Sequence, residues 1–220
     1  KSYKNKEWIY GYRENDELGG YDPYSASKAS SEIVFNSYLN SFYKQRNKDK
    51  KYFLNSARAG NVIGGGDFNY DRLVPYTIRN IYRKKTISLR YPQAIRPWQH
   101  VLDPVFGYLK LAYYAENKKK SSVWNFGPEL NNFRVIDAVK LMLKLSNNKN
   151  KISFSKNINH ETLLLHLNSD KSRAYLNWSP VWNIEQTFHK TMLWYEEYYK
   201  NNNIYNLSLD QIGEYLDAVN

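Results

Sequence analysis

The sequence predicts an α/β fold, and three observations carry that prediction. Short strand-like runs alternate with helical patterns of ten or more residues. Clusters of Gly, Pro and Asn separate them, with no internal repeat and no low-complexity linker. Hydrophobic residues make up 42% and aromatics 16% of the 220 positions, enough for a packed core and against disorder.

Taken in order, residues 1–20 are polar and aromatic, and read as a strand end and a long loop broken by Gly19-Gly20. A helix is expected from Asp22 to about Lys44, with Phe35, Tyr38, Leu39 and Phe42 spaced to pack inward. Lys48–Lys51 is expected as a loop. Tyr52–Ala59 reads as a strand running into Gly60-Asn61-Val62-Ile63 and the run Gly64-Gly65-Gly66. Arg72–Lys85 reads as a helix with Leu73, Ile78 and Ile81 on its apolar side, and Thr86–Tyr91 as a short strand. Pro97 interrupts a strand over Ile95–Val101 and argues for an edge position. Asp103-Pro104 suggests a helix cap and start, the helix running to about Glu116. Strands then follow at Val123–Phe126 and Ile152–Phe154, with helices at Phe133–Leu145, Lys171–Leu176, Ile184–Tyr199 and Leu207–Ala218.

Composition excludes several functions. With no cysteine there is no disulfide, thiolate metal site or Cys nucleophile. No apolar run approaches the roughly 18 residues of a membrane span and no signal peptide is visible, so a soluble cytoplasmic protein is expected. The first residue is Lys1, not Met, and no glycines have the G-x-G-x-x-G spacing that brings a pyrophosphate to a helix N-terminus. Both features lead us to expect a piece of a longer protein. The net charge of +11 invites a nucleic-acid reading, but the lysines gather in Asn-rich segments such as Asn47–Lys51, Asn117–Lys120 and Asn147–Lys151. These read as solvated turns, and a basic surface then serves better to attract an anionic, phosphate-bearing substrate.

The stretch that points to chemistry is Tyr21-Asp22-Pro23-Tyr24-Ser25-Ala26-Ser27-Lys28. Asp22 can cap a helix and Pro23 suits its first position. Tyr24 and Lys28 then lie one turn apart on one face. A free phenol holds its proton to about pH 10, but a neighbouring ammonium and a helix N-terminus both favour the phenolate, so the pair could supply a base. The alternative is an ordinary surface pair, since a chain with 21 Tyr offers this spacing by chance.

Several ordered blocks resemble the extended short-chain dehydrogenase/reductase group, and within its NAD-dependent epimerase/dehydratase family the branch acting on CDP-glucose. They are Tyr10–Asp16, Gly19–Lys28, Arg58–Asp67, Ile95–Val101 with its Arg96-Pro97-Trp98-Gln99-His100 run, Trp124–Pro128 and the tail around Gln211-Ile212. The resemblance implies the C-terminal part of an NAD(P)-binding Rossmann fold over residues 1–220. The Gly-rich cofactor half is missing, and a smaller α/β nucleotide-sugar-binding subdomain is drawn mainly from residues 64–220. It implies NAD as cofactor and no metal. It also implies CDP-glucose as substrate, oxidation at C4, loss of water across C5 and C6, and hydride return to C6. Deoxysugar synthesis, including that of lipopolysaccharide O-antigen, is the implied setting.

By the same resemblance Tyr24 is the base, and Lys28 binds the nicotinamide ribose. Lys1 matches the Lys of a Thr-x-Asp-Lys segment serving the elimination, with an exposed terminal Lys as the alternative. Asn61 is a candidate donor to a phosphate oxygen or else completes a turn. Gly64–Gly66 let backbone approach substrate or make a flexible turn. Arg72 and Arg96 are candidates for the diphosphate, because guanidinium forks match phosphate oxygens. His100 stands beside Arg96 as a substrate contact or as a structural histidine. The resemblance also implies a homodimer or higher homo-oligomer formed through helices that include the Tyr-Lys helix, so Phe35, Tyr38 and Phe42 face a partner subunit or their own core. Two other readings stay open: another nucleotide-sugar epimerase or reductase of the superfamily, and a non-catalytic CDP-sugar-binding remnant.

Overall fold

A computed structural model describes residues 2–43, 52–129, 132–155 and 162–219, and within them the fold is α/β. The loop that opens the chain is pinned by an antiparallel bridge between Tyr3 and Leu18 and a parallel one between Tyr12 and Leu167. Helix α1 (Pro23–Tyr38) starts where the cap signal placed it. Asp22 Oδ1 accepts the Ser25 N–H at 2.9 Å, and Ser25 Oγ accepts the Asp22 N–H at 3.2 Å, a reciprocal cap. A π turn, Leu39–Tyr43, prolongs the helix.

The inward packing expected of this helix needs correction. Leu39 is buried, but Tyr38 and Phe42 are 55% and 53% exposed and Phe35 is only half-buried. Small and polar residues, Ser25, Ala29 and Glu32, occupy the inward face of α1. The expected loop at Lys48–Lys51 lies outside the described residues.

Strand β1 (Ser56–Ala59) covers only the second half of the expected run. Gly60 separates it from β2 (Asn61–Ile63), and α2 (Leu73–Tyr82) follows. Next come β3 (Ile87–Leu89), β4 (Trp98–His100) and α3 (Leu102–Lys118). Then β5 (Val123–Phe126), α4 (Val135–Leu145), β6 (Ile152–Phe154), α5 (Asp170–Leu176), α6 (Ile184–Tyr199) and α7 (Ile204–Val219) complete the described elements. The strands pair in parallel, β1 with β5, β2 with β4 and β3 with β6. Parallel pairing needs crossover connections, which the helices supply.

Two cores hold these layers. The larger joins α2, β3, α4 and α6 through Ile78, Ile81, Ile87, Val139, Met142 and Phe188. The smaller packs Leu111 of α3 against Trp124 and Phe126 of β5 and Trp178.

Two further expectations change. Pro97 precedes β4 instead of interrupting it, and its C=O accepts the Asn61 N–H at 3.0 Å; the three residues of β4 are all buried. Asp103 is not a cap. It lies inside the first turn of α3, whose N-cap Val101 makes no side-chain cap bond. Its Oδ1 instead accepts the Val181 N–H and the Tyr215 O–H, each at 2.9 Å, which ties α3 to the loop before α6 and to α7.

Candidate functional site

A cleft of about 1470 Å³ runs between the inner side of α1, the ends of β1 and β2, and the loops before α2 and β4. Tyr24 and Lys28 line it from α1, Asn61 from the start of β2, Arg72 from the N-terminus of α2, and Arg96 from the segment leading into β4. Five residues singled out in the sequence, up to 72 positions apart (24 to 96), thus share one cavity.

On α1 the reciprocal Asp22 cap fixes the first turn and with it Tyr24, which lines the cleft and is 59% exposed. The Lys28 ammonium lies over the face of the Tyr24 ring, 5.5 Å from its centre, a contact that the one-turn spacing allows. Arg96 is 8% exposed, and its Nη1 donates to the Ile95 C=O at 2.9 Å, so the guanidinium is held in the wall. Arg72 is exposed and shares its charge with Asp67 at 3.0 Å. Lys1 lies outside the described residues.

His100 needs correction as a substrate contact. It is 2% exposed and absent from the cleft lining. Its Nδ1 accepts the Leu102 N–H at 3.3 Å, and its ring stands edge-on to Trp182 at 4.6 Å. Burial, and secondarily the Lys190 charge, push its pKa down to about 4, which leaves a neutral structural imidazole.

The glycine run serves close packing as well as the cleft. Gly64 and Gly65 line it, yet a Cβ on Gly65 would fall 2.1 Å from Cδ2 of Trp194 on α6. Gly66 takes φ +82°, the region that favours glycine.

Sequence reasoning missed one group. Arg58 of β1 and Glu32 of α1 both line the cleft and form a buried ion pair at 2.7 Å. The Arg58 guanidinium also lies 4.7 Å from the centre of the Tyr3 ring. Burial raises the Tyr3 hydroxyl to about 12, and that hydroxyl donates to Asn125 Oδ1 at 2.7 Å. The available signal was spacing: Glu32 is one further turn along the Tyr24–Lys28 face. Among the described residues no cluster of His, Asp or Glu could hold a metal, and no helix is long and apolar enough to cross a membrane.

Residues 8–127 match the model of the NAD dependent epimerase/dehydratase family. A curated relative, the CDP-glucose 4,6-dehydratase of Salmonella typhimurium, is 37% identical over 223 residues. The match covers 99% of this chain and 62% of the relative, so the chain spans less than two thirds of that protein's length. Among solved structures, the chain resembles a dTDP-glucose 4,6-dehydratase from Bacillus anthracis in complex with NAD. The TM-score is 0.73 at 21% identity, covering 89% of this chain and 58% of that one. It also resembles a UDP-glucose-4-epimerase from Stenotrophomonas maltophila with bound NAD and formylated UDP-arabinopyranose. There the TM-score is 0.75 at 12% identity, covering 88% of this chain and 62% of that one. These structural likenesses are likenesses of fold.

Proposed function

The chain belongs to the NAD dependent epimerase/dehydratase family, and from that premise we propose that it takes part in the 4,6-dehydration of CDP-glucose to CDP-4-keto-6-deoxyglucose. The observation that carries this reading is the convergence of Tyr24, Lys28, Asn61 and Arg96 on one cleft, in a chain 37% identical to a CDP-glucose 4,6-dehydratase. We further propose that the chain forms the C-terminal part of a dehydratase, with the nucleotide-sugar-binding portion drawn mainly from residues 64–220.

What this chain offers the cofactor fits its nicotinamide-ribose end: the Lys28 ammonium and the Tyr24 phenol stand together in the cleft lining, suited to ribose hydroxyls and to a sugar alcohol. NAD, when bound, supplies the redox chemistry, accepting hydride from sugar C4 and returning it at C6. Tyr24 removes the 4-hydroxyl proton, and Lys28 binds the nicotinamide ribose. Arg96, assisted by Arg72 at the exposed mouth, holds the diphosphate, and Asn61 donates to one of its oxygens. Lys1 is the proposed group for loss of water across C5 and C6. The protein's share is orientation and proton handling. The exposed Ile33, Val34, Tyr38 and Phe42 of the first helix and its π turn support a homodimer formed through this face. A cytoplasmic setting and a role in deoxysugar synthesis, such as that of O-antigen, belong to the same proposal.

The test incubates the complete polypeptide carrying this chain with NAD and, separately, CDP-glucose, dTDP-glucose and GDP-mannose, with products read by mass spectrometry and NMR. Loss of one water to a 4-keto-6-deoxy sugar from CDP-glucose is expected. An isomeric hexose without water loss would replace the reading with an epimerase, and preference for another nucleotide would overturn the CDP assignment.

A further inference from the structure

The inward face of α1 holds little that is apolar, yet the helix carries both Tyr24 and Lys28. Its buried residues are Ser25, Ala29 and Glu32, and of these only Glu32 reaches β1 through a directional contact. Glu32 Oε2 accepts from Arg58 Nη2 and Glu32 Oε1 accepts from Ser56 Oγ, both at 2.7 Å. Ser56 and Arg58 are two apart on β1 and so project from the same face of the strand. Both carboxylate oxygens are therefore held by neighbouring points on one strand, which restrains α1 from sliding along β1 and from turning about its own axis. Arg58 is itself fixed by the Tyr3 ring and by the Glu14 C=O, which accepts from Nη1 at 3.3 Å. After Gly60 the same strand leads into Asn61, so the anchor relates the α1 wall of the cleft to its β wall.

We infer that Arg58 and Glu32 are a positioning pair for the proposed reaction, setting the place of Tyr24 relative to Asn61 and Arg96. The leverage follows from helix geometry. Tyr24 lies eight residues from Glu32, about 12 Å along the axis, so a tilt of about 5° about the anchor moves it by about 1 Å. A displacement of about 1 Å costs on the order of a hundredfold in rate when reacting atoms must be aligned. The inference rests on the dehydratase reading for its catalytic half, while the anchoring itself does not.

The test uses the complete polypeptide with the double replacement Glu32→Leu/Arg58→Met, because exchanging both members of a buried pair for apolar residues keeps stability where removing one does not. Expected are a retained thermal midpoint and amide hydrogen exchange in residues 23–38 faster by about tenfold or more. On CDP-glucose, kcat should fall by on the order of a hundredfold with KM within about threefold. Should that variant not fold, Glu32→Gln is read the same way, since it keeps the shape and weakens the charge-assisted bonds. A folded variant with parental exchange in the helix overturns the anchoring. Parental kcat with faster exchange overturns the catalytic half, and a raised KM with parental kcat would make Arg58 a substrate contact instead. If the parent itself turns over no CDP-glucose, the dehydratase reading fails, and the exchange measurement alone decides the anchor.

Discussion

Asp103 offers the sharpest prediction, because its cost and its benefit are both visible. Its carboxylate is buried among Val181, Tyr215 and the first turn of α3, and that burial raises its pKa from 3.8 to about 6, against the lowering effect of the hydrogen bonds it accepts. The folded protein thus holds this proton until about pH 6, whereas the unfolded chain releases it near pH 4. Between these values the folded state binds more protons, so this group's contribution falls as pH rises from about 4 to 6. A shift of about two units corresponds to about 3 kcal/mol at about 1.4 kcal/mol per unit. Asp103→Asn keeps an oxygen to accept from Val181 and Tyr215 but cannot ionise. Its amide replaces Oδ2, which is buried without a hydrogen bond of normal length and has the His100 backbone as its polar neighbour, so the two amide protons impose a cost that does not depend on pH. His100 titrates in both proteins and largely cancels. The variant's stability relative to the parent should therefore improve by about 2.5 kcal/mol between pH 4 and pH 7, a relative gain of about 5–10 °C in thermal midpoint for a chain of this size. Thermal unfolding followed by circular dichroism across pH 3.5–7.5 measures it. A difference between the two proteins that stays constant across that range would refute the reasoning.

Three further outcomes are expected. Tyr24→Phe in the complete polypeptide should lower turnover of CDP-glucose by about 10²–10⁴-fold, the range for loss of a general base. Its thermal midpoint should stay near the parent's, because the ring is mostly exposed; turnover within threefold of the parent would remove Tyr24 from the chemistry. Gly65→Ala should destabilise by about 1–3 kcal/mol, since the new methyl meets the Trp194 ring, as denaturant titration would show. Arg96→Lys should raise KM for the nucleotide sugar by about tenfold or more while kcat changes less, because a point charge replaces a planar fork already oriented by the Ile95 carbonyl. Steady-state kinetics checks it.

What could be read in the sequence divides by the range of the interactions. The α1 start was legible because Asp22, Pro23 and Ser25 settle it among themselves. The bounds of β5, β6 and α6 were likewise legible, since apolar patterning between turn residues defines them locally. The inward face of α1 was not. Periodicity marks which residues are apolar, whereas Tyr38 and Phe42 lie on the outside and the inward face is Ser, Ala and Glu. Local signals also misplaced Asp103, whose Asp-Pro pair imitates a cap while its real partners stand 78 and 112 residues away.

The Arg-Pro-Trp-Gln-His block shows how adjacency in sequence can mislead about a site. Arg96 and His100 are four residues apart, and one reading put both beside the substrate. Strand β4 begins only after Pro97, so Arg96 belongs to the segment before it and keeps its guanidinium at the cleft, held by the Ile95 carbonyl. His100 ends the strand, beneath Gly64 and against Trp182. Its neutrality is a consequence of that cover, since a charged imidazole there would have to be desolvated beside Lys190. Opening the Trp182 contact should therefore act through the packing behind the glycine run, changing the cleft wall without touching a group that binds substrate.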